Sequence, residues 1–443
     1  MASSVVKEAL TKTAVEAVEL SKRLGADQAE AAASHDEGLS VTVRMGELES
    51  VERQRDRGLA VTVYKSSRKG TASSSDFSSR GVEDAVRKAL SIATFTAEDE
   101  FAGLADPELM ARDVPDLELY FPSGLDVDAA TELAMRAENA AREFDRRIDN
   151  SEGASVGTGE GVRVYANTHG FVGGYPSSSH SVSCSVIAKS DGLLERDYWY
   201  SAARSMDDLE AADQVGREAA ARAVRRLDAR QIKTKVVPVI YPAELARGLF
   251  GHLIGAIRGT AQYRKSTFLL GALGEAILPE FLHIEEDPFI PRGMASAPFD
   301  AEGVATRRRM LVEGGVLKGY VLSSYSARRL HMQTTGNAGG IHNLVVRPTA
   351  GTLEELIAGC DEGFVVGELL GQGVNPVTGD YSRGAAGYWV ERGAIASPVN
   401  EVTVAGNLKE IFQAISAVGS DVDTRGAVRT GSVLVDRLTV AGQ

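Results

Sequence analysis

The residues able to do chemistry are few and scattered. Seven histidines, His35, His169, His180, His252, His283, His331 and His342, are spread over 443 residues. No two of them stand about three to five positions apart, the spacing that turns two imidazoles toward one zinc from a single helix. HExxH is absent, and no Walker loop or GxSxG nucleophile motif is expected. His252 sits inside "ARGLFGHLIGAIRGTAQYR", which begins at Ala246, and it has no neighbouring acid to act as a general base. A lone histidine in such a setting is more often a packed residue than a ligand. The stretch "HIEEDPF" offers His283, Glu285 and Asp287 to a metal, although an acidic run beside a proline is usually only solvated.

Two further stretches are dense in glycine and small polar residues, "TTGNAGGIHN" from Thr334 and "GQGVNPVTGDYSRGAAGYW" from Gly371. Such loops cradle phosphate when a lysine and a strand–loop–helix order accompany them, and neither stretch has these. Asp380, Tyr381, Ser382 and Arg383 stand in a row that fits either a tight turn entering a strand or the lining of a cleft.

Composition narrows the possibilities. The chain is 43% hydrophobic and 25% charged, ordinary for a globular protein with a large core. A net charge of −13 disfavours a phosphate backbone, and the basic group Arg217, Arg222, Arg225 and Arg226 lies in an alanine-rich helical pattern without aromatics. Direct nucleic-acid binding is therefore not expected. Cys184 and Cys360 are too far apart in sequence to suggest a disulfide framework or a metal knuckle. The N-terminus is charged throughout, unlike a signal peptide, and no apolar run is long enough to span a bilayer. A cytoplasmic protein is expected.

The elements that must position these residues fall into two regions. Residues 1–232 read as an α+β region of two blocks, about 1–97 and 125–228, each running helix, antiparallel strands, helix. In the first block Gly46, Gly58 and Gly70 are expected between strands. Residues 98–124 read as an irregular connector. Residues 235–443 are glycine-rich with many short alternating runs, and read as mostly antiparallel β with a few helices, "LKEIFQAISAVG" among them.

The helix that opens this second region is amphipathic. Leu245, Leu249, Leu253 and Ile257 join Ala246, Phe250 and Ile254 in an apolar stripe, and Gly248, Gly251, Gly255 and Gly259 line the other side. Each glycine costs about 1 kcal/mol relative to alanine in a helix interior. The expectation is a buried glycine-rich helix whose glycines admit another backbone.

Several long stretches in one order, "GLFGHLIGAIRGTAQYRKSTFLLGALGEAILP", "SSYSARRL", "TTGNAGGIHN", "GDYSRGAAGYWVERG" and "PVNEVTVAGNLKEIF", resemble the PmbA/TldE branch of the TldD/PmbA metallopeptidase family, formerly described as modulators of DNA gyrase. The resemblance runs through most of 236–443 and more weakly over 35–100. It implies a cytoplasmic, heterodimeric zinc peptidase acting on unfolded or linear peptides, including a peptide-antibiotic precursor and a labile antitoxin. The peptides are held extended beside a strand. In TldD-type subunits an HExxxH helix and a cysteine hold the zinc, and the glutamate polarises the metal-bound water.

Set against that pattern, Phe250, Gly251 and Gly255 fall where the first histidine, the glutamate and the second histidine would stand, and Thr430 falls near the cysteine. No catalytic or metal residue is then expected in this chain, and zinc is expected in a TldD-type partner. His252, Asn337, His342, Asp380, Tyr381 and Arg383 are candidate cleft-lining residues, and homodimers are possible in isolation. Two rival readings remain: an independent metallopeptidase using His283, Glu285 and Asp287, and a non-enzymatic regulator of DNA gyrase or of a toxin–antitoxin pair.

Overall fold

The computed structural model describes residues 2–442. Helix α1 (Ala2–Arg23) leads into β1 (Gln28–Arg44), β2 (Glu47–Lys65), β3 (Arg68–Ser74) and α2 (Ser79–Phe95). After an irregular connector the pattern returns as α3 (Val127–Arg142), β4 (Ile148–Asn167), β5 (Val172–Ser190), β6 (Leu193–Ala203) and α4 (Ala212–Arg225). The two blocks are fused. β1 pairs with β4 over Glu30–Val43, which makes one six-stranded antiparallel sheet in the order β3-β2-β1-β4-β5-β6.

Strand alternation explains why all four helices share one face. Ala29, Ala31, Ala33, Val41 and Val43 point to that face from β1, as do Ala154, Val156, Val162 and Val164 from β4. α1 and α2 cover one end of this face, and α3 and α4 cover the other. Alanine-rich helix faces permit very close contacts. A Cβ on Gly216 of α4 would lie 1.9 Å from the Ala137 carbonyl oxygen of α3, and one on Gly70 of β3 would lie 2.0 Å from the Ala89 carbonyl oxygen of α2.

Of the three glycines expected between strands only Gly46 is there. With Met45 it forms the left-handed pair of a two-residue hairpin turn, at φ of 80° and 54°. Gly58 lies inside β2 opposite Ser34, and Gly70 lies inside β3, where only a hydrogen fits under α2. The first twelve residues of β2, Glu47–Gly58, have no strand on their outer edge and are mostly charged and exposed, a composition that discourages edge-to-edge pairing.

The remainder runs β7 (Lys235–Tyr241), α5 (Ala243–Ile257), α6 (Gly259–Tyr263), β8 (Ile284–Glu286), β9 (Arg309–Glu313), β10 (Val316–Leu317), α7 (Ser324–Arg329), β11 (Leu344–Val346) and α8 (Leu353–Ala358). It finishes with β12 (Glu362–Leu370), β13 (Asp380–Glu391), β14 (Ala394–Asn407), α9 (Leu408–Gln413), β15 (Ile415–Val418), β16 (Val428–Arg429) and β17 (Val433–Ala441). Strands β14-β13-β12-β7-β17 form a ring, because β14 also pairs with the end of β17, and β15 lies on the other half of β17. A second sheet has the order β10-β9-β8-β11-β16. The architecture is α+β, with antiparallel pairing dominant and β7–β12 and β11–β16 parallel. "LKEIFQAISAVG" divides, with helix to Gln413 and strand from Ile415.

Arginines tie the two regions together. The Arg425 guanidinium lies 4.4 Å from the ring centres of both Trp199 and Tyr200 on β6. Arg328 donates to the Gly103 carbonyl at 3.2 Å.

Candidate functional site

Helix α5 follows β7 with one residue between them, and its apolar side is fixed by the barrel. Leu249, Phe250, Leu253, Ile254 and Ile257 are buried, Phe250 completely, within the largest core of the molecule. The other side is bare. Gly248, Gly251 and Gly255 are exposed, and a Cβ built on any of them meets nothing within 4 Å. This corrects the expectation that these glycines admit another backbone. Only Gly259, beyond the end of α5, is crowded, with Ser326 Oγ 2.4 Å from its Cβ position.

His252 lies on the boundary between these sides. Its ring centre is 6.1 Å from that of Tyr381, nearly edge-on at 79°. Burial and the nearby Arg383 hold its pKa below the usual histidine value, so the imidazole is neutral at physiological pH. Tyr381 is buried at the start of β13, whereas Asp380 accepts from Thr378 Oγ1 at 2.6 Å and Asn407 Nδ2 at 3.3 Å and closes the preceding turn. Arg383 donates to the Leu369 carbonyl at 3.3 Å.

Asn337 and His342 belong to a different place. Glu286 of β8 is 1% exposed and accepts from Asn337 Nδ2 at 2.7 Å, the His342 backbone amide at 2.8 Å and Arg309 Nε at 2.7 Å. Arg309 also donates to the Tyr320 carbonyl and to Asn337 Oδ1, each at 2.9 Å, and His342 Nε2 meets the Gly336 carbonyl at 3.0 Å. The six candidate cleft residues therefore divide into a barrel group, His252, Asp380, Tyr381 and Arg383, and a saturated network around Glu286.

The alternation of the sequence already carries the signal for that network. Alternation along β8 turns Glu286 inward and Glu285 and Asp287 the other way, where both meet Arg308. His283 Nδ1 instead accepts from the Gly314 amide at 3.4 Å. Glu285 and Asp287 thus share an arginine while His283 takes a backbone amide, and the three candidate ligands do not gather at a common point. A GxSxG pattern is nonetheless present, Gly153-Ala154-Ser155-Val156-Gly157, which corrects the expectation of none. It lies inside β4, with Ser155 Oγ bonded to Thr42 Oγ1 at 2.8 Å, and not at the strand-to-helix turn that exposes a nucleophile.

Thr430 is fully buried beyond β16, its hydroxyl donating to the Gly431 carbonyl at 3.0 Å. It bridges to Asp423, whose carboxylate lies 3.4 Å from Arg247 of α5. Burial alone would raise the Asp423 pKa, but Arg425 and Arg247 hold it below the ordinary value. Thr430 is thus linked to α5 only through Asp423 and Arg247, and its oxygen is already engaged. A zinc ion needs imidazole, thiolate or carboxylate donors. Phe250, Gly251, Gly255 and Thr430 do not fit it. Among the described residues no three His, Cys, Asp or Glu side chains gather into a metal-binding group.

Comparison with known proteins agrees with the architecture. The PmbA/TldA metallopeptidase domain 1 matches residues 29–93, the central domain matches 120–227 and the C-terminal domain matches 234–442. The Metalloprotease PmbA of Escherichia coli is 48% identical over 439 residues, covering 98% of each chain. A homologue from Haemophilus influenzae is 47% identical, over 96% of this chain and 94% of the relative. The crystal structure of a proposed modulator of DNA gyrase from Bacteroides thetaiotaomicron superposes with a TM-score of 0.92 at 27% identity, over 98% of both chains. TldE from Thermococcus kodakarensis shares the fold at a TM-score of 0.86 and 22% identity. No helix among the described residues is long and apolar enough to cross a membrane. With all three domain matches in order along the chain, this protein belongs to the PmbA/TldD metallopeptidase family.

Proposed function

We propose that this chain is the PmbA/TldE-type subunit of a heterodimeric zinc metallopeptidase, working in the cytoplasm on unfolded or linear peptides without a zinc site of its own. The carrying observation is the exposed side of α5. Where a catalytic relative would present a glutamate and a second histidine, this helix presents Gly251 and Gly255 over open space, while Phe250 is locked into the core. A helix packed so firmly on one side and stripped of side chains on the other suits a wall of a shared chamber. The TldD-type partner supplies zinc, the general base and the hydrolytic step. The reading divides the chain at residues 232–235, with the α+β region presenting a sheet surface and the barrel region presenting α5.

The chemistry left to this chain is positional. His252, neutral and packed against Tyr381, borders the bare face of α5 and can accept or donate one hydrogen bond to a passing peptide backbone. The test is affinity purification of the tagged chain from its native cell. A TldD-type chain with intact HExxxH should co-purify stoichiometrically. Recovery of a topoisomerase without such a chain would favour the regulator reading instead.

A further inference from the structure

The sheet face opposite the four helices carries a second feature, independent of α5. A cross-strand row on this face runs Gly58, Ser34, Arg163 and Tyr175 over β2, β1, β4 and β5. Small residues floor it, and the segments 294–301 and 338–342 flank it, which leaves an open cleft of about 820 Å³. That volume is within the range of sites that bury a drug-sized ligand, roughly 300–1,000 Å³.

Two guanidinium groups line this cavity without a carboxylate partner. Arg163 is exposed, and its side chain makes no ion pair or hydrogen bond among the described residues. Arg204 donates only to backbone carbonyls, Ser178 at 2.9 Å, Met294 at 2.7 Å and Gly293 at 3.4 Å, and its buried Nε has no partner. Both act on the Tyr175 phenol. Burial pushes that phenol's pKa up, and the two positive charges pull it back. Asp300 is the sole carboxylate among the lining residues, and the amides of Glu302, Val304 and Ala338 bond its two oxygens at 2.9–3.0 Å. Other arginines at the junction of the two regions are answered by acids, Arg222 by Asp197 and Glu244, and Arg425 by Asp423.

We infer that this cavity binds the free carboxylate end of an extended peptide, with Arg163 and Arg204 as its anion-recognising residues and Tyr175 beside them. The guanidinium fork matches a carboxylate in planarity and spacing. The floor of Ser34, Gly58 and Ala60 leaves room for the residues that precede the terminus, and a small inorganic anion would fill little of the space. The inference rests on the peptide-handling reading above and adds polarity to it, since the end of the peptide is what the site reads.

The test uses the purified full chain and a mixed-sequence fluorescent hexapeptide, made once with a free carboxylate and once amidated. The free acid should bind about tenfold or more tightly, the worth of a charge-assisted contact. Arg163→Gln should remove that preference with no change in melting temperature and no change in amide binding. Arg204→Lys, which keeps the charge but loses the fork, should weaken the acid alone. Equal binding of acid and amide, no binding of either, or an unaltered preference in Arg163→Gln would overturn the inference. So would saturation by inorganic phosphate without any preference for the acid peptide. Binding is read without a partner, so a negative result leaves the subunit reading standing, and failure to find a partner leaves the carboxylate preference standing.

Discussion

The network around Glu286 and the open side of α5 lie in the same half of the molecule, and both come from stretches rich in glycine. In the first, the acid, the amide and the guanidinium are spent on one another and on the backbone. Glu286 takes three donors, and Arg309 and Asn337 are each bonded more than once. In the second there is scarcely a side chain to spend, because Gly248, Gly251 and Gly255 face open space. The difference teaches that polar density is a poor guide to reactivity here. The segment with acid, amide and imidazole together is a structural knot, and the segment available to a visiting molecule is nearly featureless.

The contrast is broken most forcefully at its closed end. Glu286→Ala would leave a largely buried Arg309 side chain with no counter-charge, and breaking a buried pair costs up to about 3–5 kcal/mol. Chemical denaturation should show that loss, and a change under about 1 kcal/mol would mean the network is not as saturated as its geometry.

The adjoining Asp300 gives a pH test with a definite sign. Burial, helped by the negative charge of Glu302 and offset by the backbone amides, pushes its pKa from 3.8 up to about 7. The folded state therefore holds the proton more tightly than the unfolded chain. Its contribution is fully favourable below the ordinary carboxyl value and is lost as pH rises through about 7, with an upper bound on the order of 4 kcal/mol. Comparing melting temperatures of the native chain and Asp300→Asn between these limits should show the native chain losing more stability as pH increases. Parallel curves would remove Asp300 as the titrating group.

Smaller effects separate the two kinds of helical glycine. Gly216→Ala in α4 drives a methyl into the α3 backbone, and overpacking of this sort costs about 1–3 kcal/mol. Gly251→Ala and Gly255→Ala should do the reverse, each raising stability by up to about 1 kcal/mol because only helix propensity changes. Destabilisation by either would show that the exposed side of α5 is covered in the isolated chain.

Much of this was legible in the sequence, and the failures have a common cause. Period-two runs located the strands, and the helix–strands–helix order of both blocks is present. The fusion of those blocks through β1 and β4 left no local trace, because pairing between strands more than a hundred residues apart is set by tertiary packing. Glycine departs from expectation in both directions. Gly58 and Gly70 resembled turns yet lie within strands, and the α5 glycines resembled a packing seam yet face outward. A glycine's role depends on what approaches it, which sequence spacing does not record. His252 and Tyr381 were both picked out as chemically able residues, but their contact joins α5 to β13 and appears only in three dimensions.

The central claim is that this chain furnishes walls and guidance while another chain performs hydrolysis. Zinc content and cleavage of an unfolded peptide, measured on the purified chain and again after adding a TldD-type subunit, test it most directly. The account predicts no stoichiometric zinc and no cleavage by this chain alone, with zinc-dependent cleavage on mixing. Robust zinc-dependent cleavage by this chain alone, unchanged in the His283→Ala, Glu285→Ala variant or abolished by it, would contradict the account.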